Sequence, residues 1–314
     1  MVRIKFIAGV VTALALVAQV SASFVDVTGG FNVVTFKDFS LLGMETEGAI
    51  AAGGNVTIKN SFGVNVNQPL NTTSDAIVAG GKIVLSDNGQ VHGDIYATGS
   101  ISVTNGVTVT GSKYAYSSTL PFLVDYAKAN ELSSLYDLSA STSAWNLTNG
   151  LSTLNLNGTS DVNYYDIDAT DLINVWDLSI ADQSKYSIIN VHGDIDGLGE
   201  SNKAVLHYNK QNRYNNDLIK SSNILFNFVD KVSLELGSVY GNILAIDADV
   251  VGQWGHMEGS LVANSFSGSM EFGMTTFDEP PSQDVPEGSA SVMMIAGALM
   301  LIVFSRKKFS FTRE

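Results

Sequence analysis

Three pairs of aspartates stand two residues apart in this sequence: Asp166/Asp168, Asp194/Asp196 and Asp247/Asp249. In an extended segment such neighbours share one face, so each pair has the makings of an acid and a base, or of a hard-cation site. With Asp161, Asp171 and many Asn and backbone carbonyls nearby in sequence, Ca²⁺ is the ion that oxygen ligands of this kind would take. Asp194, Asp196, Asp247 and Asp249 are its candidate ligands, although no EF-hand loop or glycine-rich calcium repeat frames them. Acid–base work needs a set separation and a raised pKa, which spacing does not supply. A sugar lyase would add a Lys or Arg base, and the one arginine between the two ends, Arg213, falls in a polar, irregular stretch. His92, His192, His207 and His256 lack zinc-ligand spacing, cysteine is absent, and nothing resembles a nucleophile elbow. The expectation is no catalytic residue, no enzyme activity, no cofactor and no calcium dependence.

What the sequence supplies instead is a scaffold phrase, Gly-polar-Ile/Leu-x-Ala. It reads Gly93-Asp94-Ile95-Tyr96-Ala97, Gly241-Asn242-Ile243-Leu244-Ala245 and Gly259-Ser260-Leu261-Val262-Ala263, with looser copies at 48–52 and 75–79. Ala79 to Ala97 and Ala245 to Ala263 are both 18 residues apart. A period of that size marks stacked coils, each burying its apolar row against its neighbours. Ile95, Ile243 and Leu261 are the expected inward row. Gly53-Gly54, Gly80-Gly81 and Gly99-Ser100 follow several copies, as if a sharp corner needed φ > 0. His92 and His192 both precede Gly-Asp-Ile, which predicts equivalent corners.

The two ends read as addresses. Residues 1–22 have a basic start (Arg3, Lys5), an apolar core and a small-residue exit, a secretory signal cleaved between Ala22 and Ser23. Residues 279–288 form a polar linker ending in Val285-Pro286-Glu287-Gly288, followed by an apolar segment at 289–304 and a basic tail at 305–314 with Arg306-Lys307-Lys308. Basic residues directly after an apolar run hold that end in the cytoplasm, so the body lies across the membrane. The arrangement resembles the PEP-CTERM class of bacterial sorting signals, which implies cleavage near the motif by an exosortase-type transpeptidase and transfer to the cell surface. Here Pro286-Glu287 is followed by Gly288 where that class has Pro, and a plain transmembrane anchor is the other reading. Removing residues 1–22 and 289–314 leaves 11 basic and 30 acidic side chains, a net charge near −19. Such a body repels phosphate backbones, so nucleic acid is not an expected partner.

Between the ends, 23–278 reads as one mainly β body, a parallel β-helix or solenoid with coils of about 18 residues. Short β runs bounded by Gly, Asn or Asp fill 47–112 and resume after 224. Thr119 and Pro121 suit a helix start, and Phe122, Tyr126, Ala129, Leu132 and Tyr136 fall at helical spacing, predicting one packed helix over about 120–138. Residues 113–223 hold this helix and an insertion with looser strands, and the two coil blocks on either side are expected to stack into one body. Thr104, Thr108 and Thr110 form a small outward threonine set.

The phrases Gly48-Ala49-Ile50-Ala51-Ala52-Gly53-Gly54-Asn55-Val56 and Gly259-Ser260-Leu261-Val262-Ala263-Asn264-Ser265-Phe266, in this order, resemble the choice-of-anchor A domain. Where that family's late phrase has Pro-Asn, this chain has Ile246-Asp247. The resemblance implies an exported adhesive domain carried by interchangeable C-terminal anchors, and no active-site motif. The expected function is a surface-anchored structural or adhesive protein of the cell envelope or extracellular matrix, with exopolysaccharide or another cell surface as its partner. A carbohydrate-binding or ice-binding surface protein is the alternative, and a β-helix polysaccharide-degrading enzyme the third reading.

Overall fold

The structure, a computed structural model, describes residues 22–281 except 71, 140, 142, 149, 151–152, 174, 176, 183, 194–203, 207–220 and 231–232. The expected signal core, sorting motif, apolar segment and basic tail lie outside these residues, as do Asp194, Asp196, His207 and Arg213. No helix among the described residues is long and apolar enough to cross a membrane.

After a short helix α1 (Phe24–Thr28), three coils of three strands follow: β1 (Val33–Thr35), β2 (Phe39–Leu42), β3 (Glu45–Thr46); β4 (Ile50–Ala52), β5 (Val56–Lys59), β6 (Phe62–Val64); β7 (Asp75–Ala79), β8 (Ile83–Ser86), β9 (Gly89–Val91). The next coil, β10 (Asp94–Ala97), β11 (Ile101–Val103) and β12 (Val107–Val109), ends in the stub β13 (Lys113–Tyr114). The chain then leaves the stack through α2 (Tyr126–Asp137), β14 (Trp145–Thr148), β15 (Thr153–Leu156), β16 (Val162–Asp168), β17 (Asp177–Ile180), β18 (Tyr186–His192) and β19 (Ala204–Leu206). It returns as β20 (Ile224–Phe228), β21 (Ser233–Leu236) and β22 (Val239–Tyr240), then as two long strands that bend through a whole coil each, β23 (Asn242–Glu258) and β24 (Leu261–Phe272).

Parallel pairing stacks these coils into three walls. The first runs β16-β18-β20-β23-β24-β1-β4-β7-β10-β13. The second runs β19-β21-β23-β24-β2-β5-β8-β11. The third runs β22-β23-β24-β3-β6-β9-β12. The two coil blocks do form one body, and the seam is the last coil against the first, Leu261 beside Val33 and Phe266 beside Phe39.

Every copy of the scaffold phrase is a first-wall strand. Its Ile or Leu and its Ala point inward: Ile50, Ile77, Ile95, Ile243 and Leu261 are all fully buried in the core. Its intervening residue points outward, yet Ala51, Val78, Leu244 and Val262 are buried too, in a second apolar layer beneath α1, α2 and Phe277. The helix is pinned by a buried amide network. Ser133 donates to Asn227 Oδ1 (2.7 Å), Asn227 Nδ2 donates to Ser133 O (3.0 Å) and Asn190 Oδ1 (2.9 Å), and Asn190 Nδ2 donates to Tyr136 O (3.0 Å).

Three expectations change. The helix begins at Tyr126 with Asp125 as its cap, accepting from Lys128 N (3.1 Å). Residues 120–125 stay out of it because Phe122 stacks on Phe31 (5.0 Å). The corner glycines Gly53, Gly54, Gly80, Gly81 and Gly99 do not have left-handed φ; they are glycine because stacked backbones touch there, a Cβ on Gly80 landing 2.2 Å from Gly53 O. Left-handed φ belongs instead to the glycine that opens three of the copies, Gly93 (124°), Gly241 (140°) and Gly259 (158°), though not to Gly48. Finally, His92 and His192 are not equivalent: His92 precedes a first-wall strand, whereas His192 closes one.

The insertion caps one end. β14 and β15 pair antiparallel and β17 joins in parallel. Leu154, Leu156, Leu172, Val175, Leu178 and Ile180 from this region enter the coil core, and Trp145 Nε1 ties it to Asp166 O (2.8 Å).

Candidate functional site

With the first wall sheathed by helices, the second and third walls are the long regular surfaces that solvent reaches. The second is plain. Its central outward row, in register across the coils, is Glu235, Val251, Ser267, Ser40, Thr57, Val84 and Ser102. From Val251 onward every side chain is short, so six successive rungs about 4.8 Å apart present a flat strip. A ladder of side chains stiffens the corner toward the first wall. Asp249 Oδ1 accepts from Asn264 Nδ2 (2.8 Å) and Ser265 Oγ (2.6 Å), Asp38 Oδ1 from Asn55 N (2.7 Å), and Asn55 Oδ1 from Lys82 N (2.9 Å). The opposite margin carries Leu42, 48% exposed, and Lys59.

The third wall is polar and acidic. Its outward row reads His256, Glu271, Glu45, Gly63, Gln90 and Thr108. His256 Nε2 meets Glu258 (3.0 Å) and Nδ1 meets Glu271 (3.4 Å), while Glu258 also accepts from Thr275 N (3.2 Å). The Glu258 hydrogen bond raises the pKa of His256 and, in return, lowers that of Glu258. Burial, then the Glu258 charge, raises that of Glu47. At Gly63 and Gly89 the wall sinks into a shallow trough of about 450 Å³ bordered by Glu45, Ser61, Asn88, Gln90 and Thr108. The corner beyond Gln253 holds Trp254, 78% exposed at φ 50°.

The calcium candidates that can be placed do not converge. Asp247 accepts from Tyr126 Oη of the sheathing helix (2.9 Å), whereas Asp249 is engaged by Asn264 and Ser265 on the second wall. Among the described residues no group of three or more His, Asp or Glu is arranged to hold a metal ion. Asp168 caps the following turn through Thr170 N (2.8 Å), and His192 lies 3.4 Å from Asp137 and 3.6 Å from Asp166. Thr104, Thr108 and Thr110 are exposed but split between a wall and two corners rather than forming one array. Ala22 is buried and Ser23 caps α1 in a reciprocal box with Asp26. The second-wall strip and the His256 cluster escaped sequence reasoning: Ser40, Thr57, Val84 and Ser102 stand 17, 27 and 18 residues apart, the long step being the loop before β7.

A stack of β coils with one sheathed wall and two bare ones defines the class, a β-solenoid whose free surface is wall rather than cleft. The family follows from the sequence: residues 24–274 match the model described as "Putative Ice-binding-like adhesive domain", and the chain belongs to that family. Among solved structures it is similar to an ice-binding protein from the Antarctic ascomycete Antarctomyces psychrotrophicus, with 12% identity, 83% of this chain and 100% of that one covered, and TM-score 0.30. A glycosylated ice-binding protein from an Arctic yeast has 14% identity, 85% and 98% coverage and TM-score 0.36. One from an Antarctic Flavobacteriaceae bacterium has 11%, 80% and 82%, and 0.17. Likenesses this weak say nothing about what this chain binds. No match is found among curated proteins.

Proposed function

We propose that this chain is an exported, surface-held adhesive protein that binds an extended, ordered surface through its second wall. The carrying observation is the flat strip from Val251 to Ser102, six in-register rungs of short side chains. A rigid, closely spaced row meets a repeating surface at many points with little side-chain entropy to lose. Ice and ordered polysaccharide are the two repeating surfaces this geometry suits, and the family description supports both adhesion and ice binding. The strip mixes Val, Ser and Thr and has Lys59 and Lys82 at its margins, which favours adhesion to a hydrated glycan surface over a purely antifreeze role. Adsorption of the purified protein to ice and to crystalline polysaccharide tests this directly. Thr57→Lys, which raises a long charged chain from the middle of the strip, is expected to abolish adsorption while leaving the melting temperature unchanged. Adsorption equal to wild type sinks the second wall as the binding surface.

The tail belongs to the same reading. Motif, apolar run and basic stop resemble a PEP-CTERM signal, and the body resembles the choice-of-anchor A domain, whose members differ in how they are attached. A transpeptidase must recognise residues outside the bilayer, so changing Pro286-Glu287 to Ala-Ala is expected to leave the chain uncut, with membrane insertion barely altered. Mass spectrometry of the C-terminus of surface-exposed protein decides it: mature chains that end near Gly288 support sorting, and intact chains through Phe309 reduce the tail to a plain anchor.

A further inference from the structure

The two ends of the solenoid are finished differently. At the β16 end, the β14-β15-β17 sheet closes the core with Leu154, Leu156, Leu178 and Ile180. At the β11/β12 end nothing of the kind occurs among the described residues. The inward side chains there, Ile101, Val103, Val107 and Val109, are partly exposed, whereas their register partners one coil inward, Ile83, Leu85 and Val91, are at 0%. β13 and the segment after it cover the first-wall edge, through Tyr116 N to Gly99 O and Ser117 N to Ala97 O (both 2.9 Å). The outer edges of β11 and β12 pair with no strand among the described residues.

Open strand edges are normally guarded by charge or proline. This one is not. Residues 95–112 contain no Asp, Glu, Lys, Arg or Pro, in a body, residues 23–278, whose net charge is near −16. The tip strands are therefore a stretch of coil at which two such acidic bodies can approach with little like-charge repulsion, the nearest carboxylates, Asp87 and Asp94, being engaged at the corners by Asn105 Nδ2 (2.9 Å) and Ser112 N (2.6 Å). It offers apolar side chains and unpaired backbone groups together, which another β edge of the same make satisfies at once. The β16 end presents the β14-β15-β17 cap instead of a bare coil, so the like surface for the tip is another tip, an isologous contact with a two-fold axis.

The chain ends give the contact a direction. Phe277 packs against Phe24 and Tyr186, and Asp278 N donates to Ser222 O, so both described termini leave beside β18 and β20. From β20 to β10 is six strand steps, about 29 Å at ~4.8 Å each. A body held by its C-terminal segment thus carries the tip away from its attachment. We infer that the β11/β12 tip is a self-association surface, through which a second copy of this chain docks and, when copies sit on facing surfaces, bridges them. The pairing stands whether or not the second wall binds anything; the bridging alone rests on the proposed surface attachment.

The absence of cysteine makes the test clean. Single cysteines are placed in the full chain, on its own cells and after purification, at Ser102, Asn105 and Thr108 on the tip, and at Gln253 and Ser267 away from it. A thiol-specific cross-linker is expected to give dimers from the tip positions and not from the other two. Val103→Lys with Val109→Lys, inward charges at the rim, should weaken dimerisation on the order of tenfold or more by opposing like charges. Thr108→Lys, on an exposed position that leaves the fold untouched, should do the same more mildly. Thr57→Lys should leave the cross-link intact, which separates this surface from the adhesive wall. Absence of tip cross-links, equal cross-linking from Gln253, or dimers indifferent to all the lysines would each overturn the inference, and capture of an unrelated protein at the tip would do so too.

Discussion

The first and second walls share a backbone, a register and the same inward rows, yet an outward side chain has opposite fates on them. Leu244 on the first wall is at 0%, held under α2, while Val84 on the second is partly exposed to solvent. The difference is what lies outside. One wall carries a helix pinned by Ser133, Asn190 and Asn227, and the other carries water. A strand buried on both sides is constrained at every position, so its sequence repeats; a strand buried on one side is constrained at alternate positions and is free to specialise on the rest. In this molecule repetition marks the scaffold, and the departures from it mark the surface.

The largest effects probe that contrast. Ile243→Asp buries an unpaired carboxylate in the core, costing several kcal/mol against a whole-domain stability of about 5–15 kcal/mol. It is expected to unfold the exported body. Leu244→Asp, although its side chain points outward, should unfold it too, because the second apolar layer has no water to offer. Val84→Asp, the matching outward change on the second wall, should shift stability by no more than about 0.5 kcal/mol, as ordinary surface substitutions do. Circular-dichroism melts of the three variants decide the matter. A Leu244→Asp protein as stable as Val84→Asp would mean that α2 does not seal the first wall in solution.

The same contrast explains what could be read in advance. The phrase around Ile95, Ile243 and Leu261 was legible because it sits on the doubly buried wall, and those three residues are inward and buried as expected. The stacking of both coil blocks into one body was legible as well, since neither could bury its ends alone. The helix was seen but begun too early, because Phe122 has the spacing of a helical stripe while its ring is claimed by Phe31. The φ > 0 assigned to the Gly-Gly corners failed because close backbone approach and left-handed geometry both select glycine, and one residue type cannot report which. The capping role of the β14-β15-β17 sheet was hidden since β14 to β17 follow no coil period. The surface features were hardest: the second-wall strip is set by inter-coil register, and the long loop before β7 offsets that register by nine residues relative to the 18-residue step.

The smallest predicted effect separates the third wall from the second by pH. His256 is held between Glu258 and Glu271, with Glu45, Glu47 and Tyr240 around it on the same wall. Its pKa is raised above 6.5, first by the Glu258 hydrogen bond. The stability it contributes is therefore full below about 6.5 and is lost as pH rises through the higher folded value. Glu258 is lowered from 4.5, mainly by His256, so its contribution is present above that value and is lost as pH falls through the lower folded one. Glu47 is raised from 4.5 by burial, so its ionisation opposes folding and stability declines as pH rises from 4.5 through its raised value. The three together place the third wall's optimum on the acid side of neutrality, between about 4.5 and 6.5. Partial solvent exposure limits the whole effect to about 1 kcal/mol, a few degrees of melting temperature for a body of this size. Because a chain this acidic also relaxes its general repulsion on acidification, the decisive quantity is a difference: wild type minus His256→Gln, measured from pH 5 to 8. That difference should be largest near the acid end and shrink as pH rises through the raised folded value, while Thr57→Lys on the second wall should titrate like wild type. A His256→Gln curve parallel to wild type throughout would show that the histidine and its glutamates do not pair in solution.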